Sequence, residues 1–138
     1  MVRIVDGFLI PTPDPEAEPF WAALRNNEFR LPKCTGCKET FFPPMPRCPS
    51  CGSSSIEYVL ASGKGTLYSW VVTHYPFHPS FRADLPFTVA VVDLDEGARM
   101  YARLEGPIER APVADARVKA KVKEYVGFNY PVFVQDDS

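Results

Sequence analysis

At 138 residues the chain has room for one domain and at most a small appendage. Its 46% hydrophobic and 13% aromatic content excludes a disordered tail, and fifteen basic against seventeen acidic side chains, a net charge of -2, exclude the strong positive field that indiscriminate nucleic-acid binding needs. No run approaches the roughly 18 uninterrupted apolar residues of a membrane span and no basic stretch leads into an apolar run at the N-terminus, so a cytoplasmic protein is expected.

Of fifteen prolines, eleven gather in residues 11–19, 43–49 and 76–86, where they mark connections rather than strands or long helices. Residues 1–14 open with alternating Val2 and Ile4 and close on Pro11-Thr12-Pro13, which reads as an extended arm that needs something to lie against. From Pro19 to about Phe29 the spacing becomes helical: Pro19 suits a first helical position, Phe20, Trp21 and Leu24 fall on one side, and Asn26-Asn27 ends the helix. So short a helix is not stable without packing. Its aromatic side belongs either on the chain's own core or against another subunit.

Cys34-x-x-Cys37 and Cys48-x-x-Cys51 are separated by ten residues that include Phe41, Phe42, Pro43 and Pro44. Each knuckle offers two thiolates from one tight turn, and two knuckles complete a tetrahedral sulfur cage for one structural zinc ion. The same cage holds iron in rubredoxin, so the metal is zinc or iron, with zinc the reading adopted. Closely spaced pairs in a chain without an export signal suit metal binding better than disulfides. A redox dithiol is the weaker alternative, since coordination occupies every sulfur.

After Ser53-Ser54-Ser55 the chain reads as strand. Strands are expected over 65–75, 87–94, 99–104, 117–125 and 131–134, with a long loop at 76–86, a tight Asp95-Glu96-Gly97 turn and a Gly/Pro-rich connection at 105–116. Five strands so joined fit a small closed barrel of the OB type. The fold expected is therefore mainly β: an arm and helix over 1–33, a rubredoxin-like zinc ribbon over 34–56 and a five-stranded barrel over 57–138. Arg117, Lys119, Lys121 and Lys123 alternate with Val118, Ala120 and Val122, which puts the basic set on one face of the fourth barrel strand and the apolar set on the other.

The landmarks Phe20-Trp21 with Leu24, the Cys34-to-Cys51 ribbon with Phe42-Pro43-Pro44 and Arg47-Cys48-Pro49-x-Cys51-Gly52, Gly63-x-Gly65-x-x-Tyr68-Ser69, Pro86-Phe87 and Leu94-Asp95-Glu96-Gly97 occur in one order. In that order the chain resembles, over roughly residues 15–134, the family of zinc-ribbon OB-fold proteins that accompany acyl-CoA enzymes. The resemblance is nearest to the domains paired with thiolase-like aldolases in bacterial steroid side-chain degradation, which cleave a 17-hydroxy side-chain CoA thioester by a retro-aldol reaction. It implies a non-catalytic subunit that binds a thiolase-like enzyme, or a hydratase, and shares an acyl-CoA at or near the interface.

An acyl-CoA site needs cations for the phosphates and an apolar slot for the pantetheine arm. Lys119 and Lys121 in the basic stripe, and Arg82 in the loop with Phe77 and Phe81, are the candidate contacts, with Phe20, Trp21 and Leu24 as candidate partner contacts. A solvated strand face is the bland account of the stripe. His74 and His78 are of the type that serves as a general base or metal ligand but have no nearby acid in sequence to orient them, and Asp93, Asp95 and Glu96 around Gly97 are ordinary turn chemistry, so no catalytic residue is assigned. The competing function is a single-stranded nucleic-acid module. Its weakness is charge, because residues 61–126 hold nine basic and eight acidic groups, a net of +1. A free-standing redox or metal-storage protein is a third possibility.

Overall fold

A computed structural model describes residues 2–5, 8–12, 14–105, 112–125 and 127–136. The chain opens with β1 (Val2–Val5) and β2 (Phe8–Pro11), paired antiparallel with Val2 opposite Pro11. The arm expected to be a single extended segment is thus two strands that pair with each other.

A 3-10 turn at Pro15–Ala17 leads into α1 (Glu18–Arg25), with a proline in its first turn. The helix ends four residues earlier than the spacing predicts. Asn26 is already outside the helical region and Asn27 adopts φ 58, the left-handed conformation that asparagine tolerates and that commonly ends helices. Phe29 leaves the helix but stays in the core, 8% exposed.

The ribbon is built on a strand pair that the sequence pattern conceals. β3 (Arg30–Cys34) runs antiparallel to β4 (Ile56–Leu60), with Arg30 opposite Leu60 and Cys34 opposite Ile56. Pro32 inside β3 and the serines before β4 break the usual strand signal, yet the proline is tolerated because its carbonyl, not a missing N–H, receives Phe41 N–H at 3.1 Å. β4 therefore belongs to the ribbon's sheet.

The rest of the chain is a closed barrel of β5 (Lys64–Thr73), β6 (Phe87–Leu94), β7 (Arg99–Glu105), β8 (Arg117–Tyr125) and β9 (Phe128–Gln135) in the order β5-β6-β7-β9-β8. All neighbours are antiparallel except β7 and β9, which run parallel where Leu104 meets Phe133. Strand positions follow the alternation read from the sequence, although β9 begins three residues before the expected start at Pro131. The turn at 95–97 closes with Gly97 at φ 106 and Leu94 N–H bonded to Ala98 O at 2.8 Å. The 76–86 loop contains a 3-10 turn at Pro79–Asp84. Part of the 105–116 connection, residues 106–111, lies outside the described residues.

One core joins the helix, the ribbon strand β3 and the barrel. Leu67, Ala90, Val92, Leu94, Met100, Val118 and Phe133 of the barrel form a single buried cluster with Phe20 and Leu24 of α1, Phe29, and Leu31 of β3. Asn129 Nδ2 donates to Leu24 O at 3.2 Å and so pins the end of the helix to β9.

Gly65 marks the tightest approach in the barrel. A Cβ there would lie 2.7 Å from Asp93 O and 2.7 Å from Val92 Cγ1. Since the backbone of β6 cannot yield without breaking its pairing, Gly65→Ala is expected to destabilise the chain by about 1–3 kcal/mol. Denaturant unfolding checks this, and an unchanged midpoint would show that the strands part easily.

Candidate metal centre and docking surfaces

The four cysteine sulfurs all lie within 4.8 Å of one another. Cys34 stands at the end of β3 and Cys48 follows the proline-rich link, both buried, while Cys37 and Cys51 close the two knuckles at the surface. Sγ of Cys34 is 3.5 Å from that of Cys51, and Sγ of Cys37 is 3.5 Å from that of Cys48. Backbone amides face these sulfurs: Cys37 N–H points at Cys34 Sγ from 3.5 Å and Ser50 N–H at Cys48 Sγ from 3.4 Å.

These amides lower two of the thiols and are outweighed at a third. The backbone N–H of Cys37 brings the Cys34 thiol down to about 6, and that of Cys51 lowers Cys48. For Cys37 the N–H of Glu39 pulls the same way, but desolvation and the neighbouring sulfurs outweigh it and push the thiol up to about 12. Four thiols this close cannot all ionise unless a cation sits among them, so the donor set fits a metal ion held by four thiolates. The four cysteines are positioned to bind a metal.

The remaining candidates separate into inside and outside. Phe20 is 1% exposed and Leu24 fully buried, so neither is available to a partner, and the aromatic side of the helix is core rather than interface. Phe20 makes edge contacts with Trp21, Phe29 and Phe42. Trp21 is half-buried and rests on Phe128. Phe77 is 80% exposed, whereas Phe81 packs on His78 and Phe87 and lies beneath the Arg103 guanidinium. Arg82 and His74 are exposed.

The basic stripe is divided by its partners. Arg117 makes a two-pronged contact with Asp95 at 2.8 and 2.7 Å, and Lys123 bonds Glu105 at 2.8 Å. The Arg117 guanidinium holds the Asp95 carboxyl below the usual carboxylate range. Lys119 and Lys121 have no ion-pair partner among the described residues. The acidic cluster at the turn is structural: Asp93 pairs with Arg99 at 2.6 Å, and Glu96 Oε2 accepts from Ser62 N–H at 3.0 Å and Ser62 Oγ at 3.2 Å. That contact ties the β6–β7 turn to the junction of ribbon and barrel.

Sequence reasoning missed a cleft of about 620 Å³ where the three parts meet. Leu24, Asn27, Glu28 and Phe29 come from the helix end, Leu60, Ala61 and Ser62 from the junction after β4, and Ala120, Lys121 and Val122 from β8. Of these only Leu24 and Lys121 were singled out beforehand as candidate contacts, because the walls come from segments far apart in the chain.

A zinc-ribbon and OB-barrel protein with a metal-binding sulfur cage is the class that this fold and site define. Residues 21–57 match a family described as "ChsH2, rubredoxin-like zinc ribbon domain" and residues 58–123 one described as "ChsH2, C-terminal OB-fold domain". A solved structure described as "Ltp2-ChsH2(DUF35) aldolase" superposes with a TM-score of 0.80 at 32% identity, covering 91% of this chain and 98% of that one. The chain belongs to the ChsH2 family of zinc-ribbon OB-fold proteins.

Three relatives carry functional names. A "Probable enoyl-CoA hydratase alpha subunit" of Thermomonospora curvata is 41% identical over 88 residues, 63% of this chain and 27% of that protein. The "3-oxo-4,17-pregnadiene-20-carboxyl-CoA hydratase alpha subunit" of Mycobacterium tuberculosis is 34% identical over 101 residues, 73% of this chain and 32% of that protein. The "Benzoylsuccinyl-CoA thiolase subunit BbsA" of Thauera aromatica is 34% identical over 74 residues, 54% of this chain and 49% of that protein. The chain thus spans about a third or less of the first two relatives and half of the third.

Proposed function

We propose that this chain is a non-catalytic accessory subunit of an acyl-CoA enzyme, that it binds a thiolase-like partner, and that the pair is an aldolase acting on a steroid side-chain CoA thioester. The observation that carries the reading is the match, over 98% of its length, to the ChsH2 chain of an Ltp2-ChsH2 aldolase. The thiolase part is supported by the benzoylsuccinyl-CoA thiolase subunit, and the steroid part by the pregnadiene carboxyl-CoA hydratase subunit.

One zinc ion held by Cys34, Cys37, Cys48 and Cys51 would staple the ribbon. The cleft suits the arm of a CoA thioester in kind: accessible apolar groups at Leu60, Ala61 and Val122, with the Lys121 ammonium at its lip for an anionic group. Reactive groups belong to the partner. No helix among the described residues is long and apolar enough to cross a membrane, and we place the complex in the cytoplasm.

The nucleic-acid reading finds support in two exposed tyrosines, Tyr68 and Tyr101, on the outer barrel wall. Their neighbour Arg99 lies over the Tyr68 ring but is neutralised by Asp93, which leaves no cationic groove there. Reconstitution tests the proposal. The chain alone is expected to leave the CoA thioester unchanged, and adding a thiolase-like enzyme is expected to start C–C cleavage. Turnover by the chain alone, or salt-sensitive micromolar binding of single strands in its place, would refute it.

A further inference from the structure

The β3–β4 ladder has the sulfur cage at one end and the cleft at the other. At Cys34 opposite Ile56 it abuts the cage, since Cys34 is one of the four cysteines and the next residue, Thr35, donates its N–H to Ser55 O at 2.9 Å. At Arg30 opposite Leu60 it opens into the cleft, and Ala61 N–H to Phe29 O, 2.8 Å, carries the pairing one step further. Phe29, Leu60 and Ala61 all line that cleft. From Cys34 to Arg30 the ladder spans about 13 Å.

The two strands are not held alike. β3 is seated in the core through Leu31 and Pro32, both buried. β4 has no buried residue, Leu60 is 62% exposed, and β3 is its strand partner in a two-stranded sheet. One further tie reaches β4: Tyr58 packs against the core and its hydroxyl donates to Glu16 O at 2.6 Å. Beyond β4 the chain is fixed again, because Glu96 holds Ser62 and Gly63 O accepts Ala120 N–H at 2.8 Å. Leu60 and Ala61 lie between these ties, so their place is set by the ladder. A two-stranded ladder is marginal by itself. With a metal in the cage the 35–55 segment that closes it is a stapled loop, and without one it is a long slack loop that costs more entropy to close.

We infer that metal in the cage and ligand in the cleft are coupled through β4: the metal sets Leu60 and Ala61 in place to receive the arm of a CoA thioester, and a bound arm tightens the hold on the metal. This rests on the reading of the cleft given above. The coupling is reciprocal, because whatever factor the metal adds to ligand affinity the ligand must add to metal affinity. The ribbon thus serves the cleft as well as its own fold.

Acetyl-CoA is the probe, since it carries the arm and has no free thiol to compete for the cage. The full chain is titrated with it calorimetrically in the zinc-loaded and the chelated form. The loaded form is expected to bind at least about fivefold more tightly, the lower end of ordinary coupling between two sites. Chelation could also weaken binding by unfolding the chain, so the second measurement uses the loaded form alone. Its zinc affinity, from competition with a chromophoric chelator calibrated in the same acetyl-CoA, is expected to rise by the same factor at saturation. Amide exchange is expected to slow at Thr35 and Gly52, whose N–H groups bond within the ribbon, to Ser55 O and Cys48 O, away from the cleft. Equal acetyl-CoA affinity of the two forms, unchanged zinc affinity, or exchange that slows only at 60–62 overturns the coupling and leaves the cleft reading standing. A loaded chain that takes up no acetyl-CoA overturns the cleft reading and the coupling with it.

Discussion

Stripping the metal, or replacing Cys34 by serine, unfolds the ribbon and weakens everything packed against it. Apparent binding free energies for structural zinc in small fingers are about 10–16 kcal/mol, as large as the whole stability of an ordinary domain. The segment between Cys34 and Ile56 has little else to hold it: its regular backbone bonds are the β3–β4 ladder and a few knuckle contacts such as Gly52 N–H to Cys48 O at 2.9 Å. The barrel ladders do not depend on the cage, so the expected apo state keeps dispersed amide signals from β5 to β9 and loses those of residues 34–55. The effect is also graded, because the buried sulfurs of Cys34 and Cys48 lie beneath the exposed ones of Cys37 and Cys51. Cys34→Ser should therefore cost more than Cys51→Ser. Native mass spectrometry is expected to find one colourless metal per chain, and a chelated sample with an unchanged amide spectrum would refute the stapling role. A visible absorption band would assign iron to the cage.

What the sequence disclosed follows from how local each signal is. The knuckles are readable because both ligands of each pair lie within one turn, and β8 is readable because its basic and apolar residues alternate at strand period. The β3–β4 pair was hidden because its partners stand 22 residues apart at Cys34 and Ile56 and 30 apart at Arg30 and Leu60, with Pro32 and three serines masking the pattern. The counter-ions of the basic stripe were invisible for the same reason: Asp95 is 22 residues from Arg117, and Glu105 is 18 from Lys123. Periodicity gave the helix an apolar side but not the surface that side meets. The cleft arises only once the parts are packed together, since its walls come from the helix end, the junction after β4 and β8.

The helix supplies the second large effect. Phe20→Ala is expected to destabilise the chain by about 3–5 kcal/mol, a large part of the roughly 5–15 kcal/mol that holds a domain together. Its ring lies 5.1 Å from Trp21, 5.1 Å from Phe42 and 5.9 Å from Phe29, so one side chain joins the helix, the link between the two knuckles and the approach to β3. Trp21→Ala should cost less, because Trp21 is only half-buried. Denaturant unfolding followed by circular dichroism measures both, and a Phe20→Ala loss below that of Trp21→Ala would mean that the helix docks outward after all. Combination with metal removal sharpens the test. If Phe42 leaves its place when the ribbon opens, Phe20 has already lost one of its three aromatic neighbours, and the same substitution in the apo chain costs less than in the metal-bound one. Equal costs in the two states would show that the helix and the ribbon are held independently, with the barrel alone carrying the helix.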